Sequence, residues 1–539
     1  MKKPLTVHPL LFAMFPILFL FSRNMAQFSL GVVFLPLVVV ALAALGLYML
    51  LRRFLANEKK AALIVTTGLF LFFSFGHIRE LMWHFSFTIA SFRFGPTKIL
   101  YISYFILCCT VMLAVARTRR PLSVVSPLLN AVGGCLVALS VLQIGVWEAK
   151  QFAYGRCRNA EDIGSPAQNS KQQGQLPDIY YIIPDEYVRH DVLAERYGYD
   201  NTEFLDYLRS KGFYVAERSM SNYTQTALSI PSSMNMNFVP NLLPKLEPQS
   251  TNLRPLGDLF RRNKVCRFLR DNGYRIVAFA SGYSLTELKN ADTFITCGWA
   301  LDQFQNAVID QTPMSMIARL AVPSVSHRSR VLYIFDNLKK VRSIEGPKFV
   351  FAHILCPHEP YVFARDGSPG PQRAFGLHYG LTTGNDLTGK ARIQAYTNQL
   401  VFVNRKLEEL IDALLSDPSY QPIIVIQSDH GERSVTLDVK DPDVSARMSL
   451  AILNAYYFPD GRYDLLSPDI TPVNTFRAVF NTYLGGKFDM LENASFVNPA
   501  NRPYNLKEYR AKDACPMSVS TEDQTRALDQ YPQGDRREQ

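Results

Sequence analysis

Apolar and polar positions follow two different patterns along the chain, and the change comes near residue 150. Before it lie five charge-free apolar stretches: Pro4–Ser22, Asn24–Leu51, Ala61–Gly76, Ile99–Ala116 and Pro121–Trp147. A helix needs about 20 residues to cross a hydrocarbon core, so each stretch reads as a span, the third extended through Ile78. A cleaved signal peptide would explain only the first of them. After residue 176 the pattern changes to short β-rich runs separated by longer helical stretches. Ile179–Ile183, Arg275–Ala280, Phe349–Leu355 and Ile423–Gln427 read as strands, and Leu253–Asn272 and Ala391–Leu415 as helices. Such alternation predicts an α/β domain with a mainly parallel sheet.

The predicted organisation has four parts. Residues 1–150 form a transmembrane anchor of about five helices. Residues 151–176, polar and containing EDIGSPAQNSKQQGQ in their neighbourhood, form a linker. Residues 177–504 form an extracytoplasmic catalytic domain, and 505–539 a polar tail. Lys2, Lys3, Arg52, Arg53, Lys59, Lys60, Arg117, Arg119 and Arg120 fall on one side of the spans; Arg23, Arg79, Arg93 and Lys98 fall on the other. The positive-inside bias puts the N-terminus in the cytoplasm. Five crossings then place everything after Trp147 outside.

The net charge of +10 does not mark a nucleic-acid protein. Seventeen Lys and Arg against five Asp and Glu lie before residue 177, which leaves the remainder slightly acidic. The basic residues orient a membrane protein, and no nucleic-acid partner is expected. Of eight cysteines, Cys108, Cys109 and Cys135 lie in spans. Cys157, Cys266, Cys297, Cys356 and Cys515 face an oxidising side, where spacing leaves one or two disulfides open.

Three predicted strands end in polar groups. DIYYIIPDEY delivers Asp185 and Glu186, FVFAHILCPHEPY delivers His358, and PIIVIQSDHGER delivers Asp429 and His430. Ligands of open α/β sheets bind at the carboxyl ends of strands, and carboxylates with imidazole suit a divalent metal of the zinc or manganese kind. His353, inside a strand, reads as a packed ring. In SNYTQTALSIPSSMNM a helix is predicted to begin near Thr226. On these grounds alone a threonine there is most simply an N-cap, although a hydroxyl at a helix start also meets anions well.

The order Asp, Thr at a helix start, PHEP and SDHGE resembles the alkaline-phosphatase superfamily in its sulfatase-like branch. With the apolar spans it looks most like lipoteichoic-acid synthases and lipid A phosphoethanolamine transferases. The resemblance implies that Asp185, Thr226, Asp429 and His430 hold one principal metal, Zn2+ or Mn2+. It makes Thr226 the nucleophile, with Thr224 and Ser229 as near rivals, and His358 a substrate-binding residue. Glu186 is a weaker additional ligand. It further implies a bacterial inner-membrane protein with a periplasmic or extracellular catalytic domain, a phospholipid donor and a glycan or lipid acceptor. Ester hydrolysis on the same fold and a non-catalytic membrane scaffold are the competing readings. Sulfatase chemistry proper is disfavoured, because CRFLR at 266–270 lacks the proline, and SIPSS at 229–233 the arginine, of the C/S-x-P-x-R motif. No histidine follows His430, which argues against a second site built from downstream ligands.

Overall fold

The computed structural model describes residues 5–81, 87–89, 92–94, 96–119, 122, 124–158, 176–297, 301–315, 327–371, 387, 389–433, 439, 441–499 and 501–510. The chain divides into two compact units, residues 1–166 with 301–323, and 167–300 with 324–539.

In the first unit the five apolar stretches become helices: His8–Arg23, Phe34–Leu55, Glu58–Leu81, Pro96–Arg117 and Val125–Arg158. Four of them are long and apolar enough to cross a membrane. The first has 16 residues, about 24 Å at 1.5 Å per residue, and is shorter than the hydrocarbon core. It packs within the bundle through Ala13, Ile17, Leu18 and Phe21, all buried. A hairpin of β1 (Phe87–Ile89) and β2 (Phe92–Phe94) lies between the third and fourth helices in sequence. The last helix runs to Arg158, into the stretch expected to be linker, and residues 159–175 lie outside the described ones.

Residues 301–315, expected within the catalytic domain, pack instead in this helical unit. Asp302 caps the helix Gln303–Asp310 in a capping box with Gln305. Its apolar face carries Phe304, which meets Phe21 and Phe28 edge-on, and Val308 joins the same cluster. Gly76 N–H donates to the Gln311 carbonyl at 3.0 Å. A side chain at Gly76 would collide with the Gln311 backbone, so the close approach needs glycine.

The second unit is built on a seven-stranded sheet. Its strands are β3 (Ile179–Pro184), β4 (Tyr214–Val215), β5 (Arg275–Phe279), β6 (Thr293–Ile295), β7 (Lys348–Ile354), β8 (Ile423–Gln427) and β9 (Asn454–Tyr457), in the order β4-β9-β8-β3-β7-β5-β6. Pairing is parallel from β8 through β6, and β9 runs antiparallel to β8 and β4. The four strands read from the sequence are all present. Strands buried on both faces need no polar alternation. Thus Tyr180, Ile182, Val350, Ala352, Ile424 and Ile426 enter one core, and Ile179, Tyr181, Ile183, Phe349, Phe351, Ile423 and Val425 the other. The predicted helix Leu253–Asn272 is two helices, Arg254–Arg261 and Lys264–Asp271. Asn263 restarts the chain between them by accepting the Cys266 N–H. The expected tail is ordered at its start, because β10 (Ser495–Val497) pairs with β11 (Lys507–Tyr509). Residues 511–539 lie outside the described ones.

One buried acid fastens the amino ends of the three central strands. Asp178 pairs with Lys348 Nζ at 2.5 Å, accepts the Lys348 N–H and the Tyr420 hydroxyl, and gives its carbonyl to the Ile423 N–H. Both partners of the ion pair are under a tenth exposed. Removing one member would strand the other in the core. Asp178→Ala is therefore expected to cost about 3–5 kcal/mol, measured by denaturant unfolding of the full-length protein. Recovery is expected when Lys348→Met is added.

Candidate active site

The register of β8, β3 and β7 sets the site. Ile179 lies opposite both Phe349 and Ile423. Continued past the strand ends, side-chain alternation puts Asp185, His353 and Asp429 on one face at nearly one level. The Asp185 N–H donates to the Ile354 carbonyl at 2.9 Å, and the His358 N–H donates to the Asp185 carbonyl at 3.1 Å. The Ser428 hydroxyl accepts the Tyr187 N–H, joining the turn after β3 to the loop after β8. In that loop Gly431 donates its N–H to Ser449. A Cβ on Gly431 would lie 1.9 Å from the Met448 carbonyl oxygen, which is why glycine follows the histidine in SDHGE.

Thr226 enters from above the sheet as the first residue of the helix Thr226–Asn235, every residue of which is buried. It is not an N-cap. Gln225 holds that position without a side-chain cap, and accepts the Leu228 and Ser229 N–H groups with its carbonyl. The Thr226 hydroxyl lies 3.1 Å from His430 Nε2. The rivals are engaged elsewhere: Thr224 donates to Asn498, and Ser229 to the Tyr223 carbonyl. The loop carrying Thr226 is bound on both sides. Ser221 donates its hydroxyl to the Asp429 carbonyl, while Asn222 accepts the Val473 N–H and donates to Ala494.

The four residues implied as metal ligands thus converge. His430 Nε2 lies 3.9 Å from Asp185 and 3.5 Å from Asp429. His353 was the residue missed. Asp185, His353 and Asp429 each offer a buried ligand atom, all within 4.8 Å of one another. His353 is not merely packed. Its Nδ1 meets the Thr286 hydroxyl at 2.8 Å, and that hydroxyl donates onward to the Tyr283 carbonyl. The Nδ1 is then the donor, and Nε2 turns a lone pair toward Asp185 at 3.5 Å. His430 repeats the arrangement, with Nδ1 held by the Gly431 carbonyl at 2.7 Å. Lone pairs aimed at carboxylates repel unless a cation lies between them. His353 Nε2 and Asp429 Oδ2 are buried without a hydrogen-bond partner among the described residues, and this donor set suits zinc or manganese.

The electrostatics divide the carboxylates. Burial would raise Asp185, but the charge on His358, the largest opposing influence, holds it below the usual carboxylate range. Asp429 moves upward, through burial and then the Asp185 charge. Glu186 is pushed well up by burial, with Glu432 and Asp185 adding to the shift against the pull of His358. It sits in the left-handed region at φ 59°, a conformation that costs a non-glycine residue energy. That turn lets its N–H reach Asp429 and its carbonyl accept the Tyr396 hydroxyl. Its carboxylate lies 3.9 Å from His430 Nδ1, the edge of the ring that faces away from Thr226. Glu186 is not one of the three residues whose ligand atoms cluster within 4.8 Å, which are Asp185, His353 and Asp429. Its carboxylate lies 3.7 Å from His358 Nε2. Burial opposes charge on His358, but Glu186, Asp185 and Glu359 raise its pKa to about 10.

Other expectations resolve simply. Cys266 lies inside the helix Lys264–Asp271, and burial pushes its thiol up to about 12, so CRFLR presents no reactive sulfur. Cys266 and Cys356 are buried and not disulfide-bonded; Cys515 lies outside the described residues. The signal for His353 was period-two alternation along FVFAHI, useful only once the register with Asp185 is known. Gly431→Ala must displace the Met448 carbonyl. It is expected to lower stability by about 1–3 kcal/mol, read as a fall in the melting temperature of the full-length protein.

Comparison with known proteins agrees in kind. The model of the family described as Sulfatase matches residues 177–479. Structural similarity extends to the zinc complex of the C-terminal periplasmic domain of EptC from Escherichia coli, at 14% identity, over 62% of this chain and 92% of that one, with a TM-score of 0.41. For the integral membrane lipooligosaccharide phosphoethanolamine transferase A from Neisseria meningitidis the values are 11%, 89%, 95% and 0.40. For the lipoteichoic acid synthase LtaP from Listeria monocytogenes they are 15%, 62%, 78% and 0.38. No curated protein matches in sequence. With more than half of its length matched to the family model, the chain belongs to the sulfatase family.

Proposed function

We propose that this protein is a membrane-anchored transferase that moves a phospho-headgroup from a lipid to a glycan or lipid hydroxyl through an ester on Thr226. The observation that carries this reading is the Thr226 hydroxyl 3.1 Å from His430 Nε2, at the start of a buried helix and beside two buried carboxylates. A plain structural threonine has no need of that company.

Asp185, Asp429, His430 and Thr226 would hold one divalent cation, zinc or manganese, with His353 as a further donor. When bound, such a cation lowers the pKa of a hydroxyl and draws charge from phosphoryl oxygens. The Thr226 and Ala227 N–H groups, which precede the bonds from Leu228 and Ser229 to Gln225, would receive the non-bridging oxygens. Thr226 Oγ1 forms the new bond to phosphorus as the bond to the lipid's leaving oxygen breaks, and its proton ends on that oxygen. His358, cationic through the neutral range, offsets the charge on the leaving oxygen. The acceptor hydroxyl then attacks phosphorus, the bond to Thr226 breaks, and the threonine regains a proton. Covalent attachment to apolar helices favours a lipid donor by raising its effective concentration. An inner membrane with the N-terminus in the cytoplasm and the second unit in the periplasm fits the distribution of basic residues.

Thr226→Ala is expected to lower turnover at least about 1,000-fold with an unchanged melting temperature; retained turnover would overturn the assignment. Products trapped from a labelled phospholipid, read by mass spectrometry, should carry the headgroup on a glycan or lipid, whereas delivery to water alone would mean a hydrolase. Asp429→Asn is expected to weaken metal binding at least about 10–100-fold, followed by metal analysis of the purified protein, and His353→Ala should lower it in the same direction. Absence of bound metal in the normally folded native protein would favour a scaffold.

A further inference from the structure

The segment that leads into Thr226 is fastened by chain from beyond the residues matched to the sulfatase family. That match ends at residue 479, and β10 (Ser495–Val497) follows it. β10 nevertheless lies along residues 222–224. The Phe496 N–H donates to the Asn222 carbonyl at 2.8 Å, and the Asn222 side-chain amide donates to the Ala494 carbonyl at 2.8 Å. Tyr223 and Phe496 pair as a parallel bridge, and their rings stack with centroids 5.6 Å apart. Tyr223 is fully buried, and its hydroxyl accepts the Val239 N–H, so the ring is pinned at its tip as well as on its face.

The contact nearest the nucleophile comes one residue later. Thr224, 4% exposed, donates its hydroxyl to Asn498 Oδ1 at 3.2 Å. The half-buried Asn498 steadies that oxygen by donating its amide to the Pro499 carbonyl at 3.1 Å. The ties of Ser221 to Asp429 and of Asn222 to Val473 lie further upstream. Only Gln225 separates Thr224 from Thr226, and it is extended, at φ −143° and ψ 135°. From Thr226 onward the chain is a buried helix. A shift of Thr224 is therefore passed to Thr226, whose hydroxyl lies 3.1 Å from His430 Nε2. Small misplacements of a reacting atom slow a reaction, because its effective concentration depends on near-attack geometry.

We propose that Asn498 is a positioning residue for Thr226. Its side-chain oxygen holds Thr224, and through it sets the reach of the Thr226 hydroxyl toward His430; it touches no reacting atom. Its effect on turnover rests on the reading of Thr226 as nucleophile. The tie itself does not.

Hydrogen exchange across residues 221–229 of the full-length protein in detergent tests the tie. Transfer from headgroup-labelled phosphatidylethanolamine and phosphatidylglycerol tests its consequence. In Asn498→Ala, exchange in this segment is expected to quicken about fivefold with the rest of the second unit unchanged, and kcat to fall about fivefold or more at constant KM. Asn498→Asp keeps an acceptor for the Thr224 hydroxyl and should restore both. Thr224→Val should reproduce the loss, and adding Asn498→Ala to it should change neither readout further. Unchanged exchange in Asn498→Ala overturns the proposal, as does failure of Asn498→Asp to restore it. A rise in KM alone would make Asn498 a substrate contact. Exchange quickened throughout the unit, with a fall in melting temperature, would make it a structural residue; either result overturns the positioning role. Turnover retained by Thr226→Ala, or absent with both lipids, counts against the phosphotransferase reading and leaves exchange to decide this one.

Discussion

Everything in the second unit depends on the in-register parallel pairing of β8, β3 and β7. With Ile179 opposite both Phe349 and Ile423, the strand ends bring Asp185, His353 and Asp429 together on one face. A slip of one residue would turn a strand's side chains to the other face, and the donor group would dissolve. The pairing is fastened at its far end by Asp178, which ties the starts of all three strands through one carboxylate and one carbonyl. Stability at the amino ends and chemistry at the carboxyl ends are therefore two consequences of one register.

The site is held in electrostatic tension. Two carboxylates and three imidazoles crowd a volume from which water is largely excluded, and they move one another's protonation in opposite directions. The backbone participates: Glu186 takes a left-handed conformation so that its N–H can reach Asp429. Such groups gain most from a cation and from an incoming anion.

Much of this was legible in the residues. The four sheet strands, the five apolar helices and the ends delivering Asp185, His358, Asp429 and His430 all follow from hydrophobic runs that stop at polar groups. Thr226 was recognisable as the start of a helix, though whether it capped that helix or faced the site was not. His353 was passed over because a histidine inside an apolar strand has no local feature to separate packing from ligation. Sequence adjacency to Asp185 says nothing about the turn that carries the Glu186 carboxylate to the Nδ1 edge of His430. Helix Gln303–Asp310 was assigned to the wrong unit, since its Phe304 and Val308 have the amphipathic spacing of any surface helix, and only packing says which surface.

By itself the sequence determined the elements, the division into an apolar helical part and an α/β part, and the residue types available for chemistry. Those properties are local: they arise from hydrophobic periodicity, from glycine at strained turns and from polar groups at strand ends. Only the tertiary structure decided which acid faces which imidazole and which of three hydroxyls meets His430. Those facts depend on pairings between residues more than two hundred positions apart, and a linear pattern carries no record of distance across a sheet.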